Sequence, residues 1–188
     1  MIRVCRATLV LLDVSVAHRF CEAQLLPDLI RYLRDPGCAT PEVLSELQHS
    51  ARGQRYAGLR LLEHTGWPKV SGALPPELRR EYWDLKRAAQ QPGDPPEKHI
   101  GEITTVLMAA HLHADLVIVD DRFGKALARR KGLARLSTAQ LALEMVCDEH
   151  LTEEEGFTVF DRATEEGIGR ERYSQALSEW RVRRDLER

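Results

Sequence analysis

Four carboxylate positions fall where an α/β protein can do chemistry. Asp13 follows the apolar run ATLVLL at residues 7–12, and Glu46 lies inside a helical pattern among Val43, Leu44 and Leu47. Glu102 opens a second helical pattern directly after Gly101, and Asp120-Asp121 ends the apolar run LVIV at 116–119. A set of hard oxygen donors without Cys or His suits Mg²⁺, which prefers oxygen ligands and keeps several waters. Like charges gathered without a cation repel one another and raise some of their pKa values. The chemistry such a set offers is metal-assisted hydrolysis of a phosphodiester. Each acid has a plainer explanation when taken alone. Asp13 and Asp120 read as strand-end acids capping the next helix, and Glu102 as an acid favoured at a helix start. It is the set that points to a site.

The elements that must position these acids alternate. A strand at 7–12 leads into a helix over 14–33, interrupted around Pro27. After the turn Asp35-Pro36-Gly37, Cys38-Ala39 forms a brief strand, and Thr40-Pro41-Glu42 starts a helix with a cap, a first-turn proline and an acid. Residues 52–66 read as helix with a stripe of Leu59, Leu61 and Leu62, broken by Gly66-Trp67-Pro68. A short strand at 69–71 and a helix from Pro75-Pro76 follow, and Trp67 and Trp83 are expected to pack within this middle segment. The loop QPGDPP at 91–96 delivers the chain to His99, a candidate substrate contact. Ile103, Val106, Leu107, Ala110 and Ala114 then recur at helical spacing. The run at 116–119 is a buried strand, a helix carries Phe123, Ala126 and Leu127, another strand lies near 134–136, and Ser137 caps a helix to about Asp148. Asp115 and Asp148 read as ordinary surface acids.

Alternating strands and helices imply a parallel sheet covered on both faces, in which strand tips and the starts of the following helices lie close together. Chemistry collects at the carboxyl ends of such strands. Arg122, Lys125 and Arg129 fall on one face of the helix beside this point. They are candidate contacts to an RNA backbone, with a solvated basic face as the plain alternative.

The chain divides into 1–148 and a helical extension over 149–188. The extension opens on a capping box, Thr152 to Glu155, carries Phe157, Val159 and Phe160, breaks at Gly167-Ile168-Gly169, and ends in a helix bearing Tyr173, Leu177 and Trp180. The plain reading folds this pair onto its own domain, and the alternative makes it a partner-binding or dimer surface. With 188 residues, 43% hydrophobic and 30% charged, the chain is of ordinary globular composition. Its formal net charge of -2 sets up no global attraction to nucleic acid. The four cysteines lie far apart with no C-x-x-C pairing, which suits reduced thiols in the cytoplasm. No apolar run approaches the ~20 residues of a membrane helix, so no membrane association is expected.

The segments LLDVSVAHRF (11–20), TPEVLSEL (40–47) and above all GEITTVLMAAHLHADLVIVDDRFGKALARRKGL (101–133) resemble the PIN-domain nucleases, and within them the toxins of VapBC-type toxin–antitoxin pairs. The likeness covers most of the first ~145 residues. It implies a three-layer α/β/α PIN-like fold with a parallel sheet of four or five strands, followed here by the helical extension. It also implies a ribonuclease site dependent on Mg²⁺ or Mn²⁺. Carried over, Asp13, Glu46 and Glu102 become metal ligands, with Asp120 or Asp121 as the fourth acid. Two departures stand out. Val14 occupies a place where the family often has a small hydroxyl residue, and residues 150–188 have no part in the match. The expectation is a cytoplasmic endoribonuclease acting on RNA, a toxin whose candidate partners are an antitoxin and a second copy of the chain. The alternatives are an RNA-processing PIN nuclease without an antitoxin and a PIN-like module that binds RNA or protein without cleaving.

Overall fold

A computed structural model describes residues 4–49, 62, 65–164 and 169–186. Most of the helix expected over 52–66, and most of the break at Gly167-Ile168-Gly169, lie outside the described residues. The chain begins with a 3₁₀ turn at Val4–Arg6 and continues with β1 (Val10–Leu12), α1 (Val14–Glu22), α2 (Leu26–Tyr32), β2 (Gly37–Ala39), α3 (Pro41–His49) and β3 (Lys69–Val70). A 3₁₀ turn at Pro76–Leu78 precedes α4 (Arg79–Ala89), then α5 (Ile100–His111), β4 (Leu116–Ile118), α6 (Arg122–Arg130), β5 (Arg135–Leu136), α7 (Thr138–Cys147), α8 (Glu153–Ala163) and α9 (Arg170–Leu186).

The sheet has five strands in the order β3-β2-β1-β4-β5, all parallel. Helices cover both faces, because alternate strand residues feed two separate cores. Val10 and Leu12 of β1 and Leu116 and Ile118 of β4 join one core, with side chains of α1, α2, α3, α7, α8 and α9. Leu11, Val117 and Val119 join the other, built with α4, α5 and α6. The α/β/α layering expected from the sequence is therefore present. From β1 the chain moves outward to β2 and β3, then crosses back to β4 on the other side of β1. The gap between the carboxyl ends of β1 and β4 is the point where strand order reverses, the usual ligand position in an open α/β sheet. The two outer strands, β3 and β5, are only two residues long, and each exposes a cation, Lys69 and Arg135.

Two acids read as surface groups turn out to brace the fold. Asp115 accepts hydrogen bonds from the Thr8 amide (2.8 Å), the Thr8 hydroxyl (2.8 Å) and the Leu9 amide (3.1 Å), fixing the chain as it enters β1. Those donors hold its carboxyl below the usual range. Asp148 accepts from Arg184 (2.5 Å) and from the Tyr32 hydroxyl (2.5 Å), so α2, α7 and α9 meet on one carboxylate. One turn away, buried Glu144 accepts from the Trp180 indole at 2.7 Å. Sequence periodicity finds carboxylates but not the distant partners that bury them. Trp67 packs, though in the core shared with α1 and α2 rather than within the middle segment: it is 5% exposed and donates to the Leu33 carbonyl at 2.8 Å. Trp83 does not: it is 57% exposed on the outer side of α4.

The C-terminal helices share the first core. Val159, Phe160, Tyr173, Leu177 and Trp180 are all buried there, with α8 laid against α7 and α1. The close approach of α8 depends on Gly156, where an added Cβ would stand 2.2 Å from Val146 Cγ2 and 2.7 Å from the Tyr173 hydroxyl. Gly156→Ala forces these helices apart, and overpacking of this kind costs about 1–3 kcal/mol. Urea unfolding of the variant is expected to show that loss. An unchanged midpoint would mean that the α7–α8 contact is looser than described.

Candidate functional site

Each expected acid can now be placed. Asp13 stands at the tip of β1, as the residue before α1, and its amide donates to the Ile118 carbonyl of β4 at 3.1 Å. It is 3% exposed. The Ser15 hydroxyl donates to its Oδ2 at 2.8 Å, while Oδ1 is buried with no hydrogen-bond partner. A small hydroxyl thus supports Asp13 from Ser15 rather than from position 14. The signal was present in the sequence as Asp-x-Ser, one residue later than expected.

Glu46 and Glu102 come to the same place from different helices. Thr40 sets the course of α3: its hydroxyl accepts from the Val43 amide at 3.3 Å and lies 3.1 Å from the Thr104 hydroxyl of α5. That link holds the two helices side by side. Glu46 is exposed as a residue, yet its carboxylate reaches back to the start of α5. A Cβ placed on Gly101 would lie 3.2 Å from both Asp13 Oδ1 and Glu46 Oε2. The two oxygens are thus no farther apart than twice that distance. Glu102 follows Gly101 on α5, and its side chain packs under Gly124 of α6.

The adjacent acids after β4 separate. Asp120 gives both oxygens to Thr138, one to its amide and one to its hydroxyl, each at 2.7 Å, and so anchors the start of α7. Asp121 caps α6, with Oδ1 accepting from the Phe123 amide at 2.6 Å and the Gly124 amide at 3.4 Å. Asp121 also lies with Glu102 and His99 in a group whose ligand atoms are all within 4.8 Å of one another. Of the two, Asp121 faces the other acids.

Electrostatics bind the set together. Burial, then the charge of Glu102, pushes the Asp13 carboxyl up to about 7, against the pull of Ser15 and of the Val14 and Ser15 amides. Glu46 is raised by burial and by Asp13. Glu102 is raised by burial, with the charges of Asp121 and Glu46 adding to it, and buried Lys86 of α4 opposes them. Lys86 itself is held by the Lys98 carbonyl, just before His99. These mutual shifts mark the acids as one electrostatic unit.

His99 is the residue that reasoning from acids underrated. It precedes α5 with a left-handed backbone (φ +67), and its ring packs on Phe123 with centroids 5.2 Å apart. Its Nδ1 is buried, has no hydrogen-bond partner and lies 4.0 Å from Glu102 Oε2. A buried polar atom left unpaired costs about 1–3 kcal/mol. The spacing of His99 and Glu102, three apart across a helix start, was the available signal. A cleft of ≈ 810 Å³ opens beside this group, lined by Pro41, Glu42, Glu46, Pro95, Lys98 and His99 among others.

Arg122, Lys125 and Arg129, three and four apart, share one side of α6. Arg122 is exposed, Lys125 lines a groove with Arg135, Trp180 and Arg183, and Arg129 borders a separate hollow with Phe123 and Arg130. In chemical terms the group fits a divalent cation. Asp13 Oδ1 and His99 Nδ1 are buried polar atoms with no hydrogen-bond partner, and carboxylate oxygens make up the rest. No protein-family model matches the chain, and there is no match to it among the curated proteins or the solved structures.

Because the Asp13 carboxyl is raised from 3.8 to about 7, protonation favours the folded state. That stability is present in full below pH 3.8 and is lost as pH rises through about 7. In divalent-free buffer, Asp13→Asn is therefore expected to be more stable than the wild type at pH 8, by at most about 4 kcal/mol at 1.36 kcal/mol per pKa unit, and to lose the advantage near pH 4. Thermal unfolding at the two pH values measures this. A variant less stable than the wild type at pH 8 would contradict the burial of a strained carboxylate.

Proposed function

We propose that this chain is a metal-dependent endoribonuclease of the PIN class, hydrolysing RNA phosphodiester bonds and serving as the toxin of a type II toxin–antitoxin pair. The observation that carries the proposal is the meeting of Asp13 Oδ1 and Glu46 Oε2 over Gly101, with Glu102 and Asp121 alongside. These residues come from β1, α3, α5 and the β4–α6 junction, scattered over more than a hundred positions of chain. The strand-order reversal and the resemblance of residues 101–133 support the same reading.

Asp13, Glu46, Glu102 and Asp121 would hold Mg²⁺ or Mn²⁺, which when bound supplies an activated water and neutralises phosphate charge. The chain's own contribution is orientation. Ser15 fixes one oxygen of Asp13 so that the other points into the site. The α6 cap fixes Asp121 in the same way. The cleft between the start of α3 and the 95–100 loop gives a single strand of RNA room to approach. Arg122, exposed at the start of α6 next to Asp121, is placed to contact a flanking phosphate, a contact that positions without reading sequence. Lys125 and Arg129, on the same side of α6, would continue such contacts along a longer strand.

A second reading keeps the chemistry and drops the antitoxin, making the protein an RNA-processing nuclease. The burial of Tyr173, Leu177 and Trp180 in the chain's own core favours it, because those apolar groups need no partner.

Purified protein with Mn²⁺ is expected to cut single-stranded RNA internally. Glu102→Gln and Asp13→Asn should each lower cleavage by about 10²-fold or more, since even groups that only support metal ligands are worth 10–100-fold. Circular dichroism should show the fold retained. Full activity in either folded variant would end the nuclease proposal. Arrested growth on overproduction of the wild type, absent with Glu102→Gln, would mark a toxin. Harmless overproduction would leave the processing nuclease.

A further inference from the structure

We propose that His99, Glu102 and Asp121 form a mixed nitrogen–oxygen site for a first-row transition cation such as Mn²⁺, with His99 Nδ1 as a direct ligand. The site deepens the nuclease reading, on which it rests through the shared Glu102 and Asp121, but it does not require RNA to be the substrate.

The first ground is spacing. The three candidate ligand atoms lie within 4.8 Å of one another, and His99 Nδ1 is 4.0 Å from Glu102 Oε2. Ligands on opposite sides of a small divalent cation stand about 4–5 Å apart, given bonds of roughly 2.0–2.4 Å. Little movement is needed to close them on an ion.

The second ground is the state of the imidazole. Nδ1 is buried and has no hydrogen-bond partner, although the Glu102 carboxylate lies 4.0 Å away. The ring is not free to turn toward water, because it packs on Phe123 and its side chain is only 14% exposed. A ring held in this way aims Nδ1 at the Glu102 carboxylate, and a cation bound between them through the deprotonated nitrogen would satisfy all three groups.

The third ground is support of the partners. Asp121 spends Oδ1 on the Phe123 and Gly124 amides, and among the described residues nothing hydrogen-bonds its other oxygen. The same turn of chain thus orients Asp121 and carries the ring that orients His99. Glu102 is confined by its packing under Gly124. Ligands braced from behind are what a preformed metal site needs.

The nitrogen donor sets the preference. Imidazole nitrogen favours transition cations over Mg²⁺, and Mn²⁺, at the weak-binding end of that series, also accepts carboxylate and water. Asp13 and Glu46, beside Gly101, form an all-oxygen pair suited to Mg²⁺. Glu102 lies between the two groups and feels the charges of both Asp121 and Glu46.

The test uses the full chain and Mn²⁺ alone. Electron spin-echo spectroscopy of the Mn²⁺-loaded wild type is expected to show coupling to a histidine nitrogen, and His99→Gln should abolish that coupling. Competition titrations should show Mn²⁺ preferred over Mg²⁺, with the preference reduced at least tenfold in His99→Gln. Should that variant fail to fold, Asp121→Asn replaces it and is expected to weaken Mn²⁺ binding about tenfold. Wild-type Mn²⁺ without nitrogen coupling, coupling that survives in His99→Gln, or unchanged affinity in Asp121→Asn would each overturn the site. A wild type that binds Mn²⁺ through nitrogen yet cuts no RNA would end the nuclease reading and leave this one standing. No Mn²⁺ binding at millimolar concentration would end both.

Discussion

The acidic end of this molecule depends on how closely the start of α5 approaches β1 and α3. Gly101 sits at that contact, beside the carboxylates of Asp13 and Glu46. An added Cβ would stand 3.2 Å from an oxygen of each and press them back by a few tenths of an ångström. The acids gathered there are partly desolvated and mutually repelling, each raising the cost of ionising the next. Such an arrangement works against folding, so its persistence has to be supported from elsewhere in the chain.

The support comes from both cores and from the groups that pin helix starts. The central strands contribute to both faces, with Leu11 on one side and Val10 and Leu12 on the other, so β1 cannot shift without disturbing two packed layers. Asp115 holds the entry to β1, Asp120 holds the start of α7, and the capping boxes at Ser137 and Thr152 define α7 and α8. On the far side, Arg184 lies buried among Glu144 and Asp148. Breaking a buried ion group from one side leaves an uncompensated charge, which makes α9 a structural part of the fold rather than an ornament on it.

Much of this was legible in the residues. The apolar runs at 7–12 and 116–119, the Thr40-Pro41 start, Ser137 and Thr152 each located an element, because local patterning and capping chemistry are written in adjacent positions. The strands proved shorter than the apolar runs: β1 covers Val10–Leu12 only, since the Asp115 bonds to Thr8 and Leu9 take over the preceding chain. The acids of the site were visible as a set, but the choice between Asp120 and Asp121 was not. One residue of strand slip exchanges their roles, and Thr138, which occupies Asp120, is eighteen positions away. His99 was visible only as a neighbour of Gly101-Glu102. Its unpaired nitrogen and the ring of Phe123 are facts of packing, and no local pattern encodes them. The exposure of Trp83 was missed for the same reason, as a large apolar side chain carries no mark of being left outside.

The two outer strands carry a consequence for assembly. A sheet grows across molecules only where an edge offers a run of unpaired amides and carbonyls long enough to template a neighbour. Here each margin is two residues long and bears a positive side chain, Lys69 on one flank and Arg135 on the other. Neighbouring molecules therefore gain little by annealing margin to margin, and the described architecture resists fibre-like stacking.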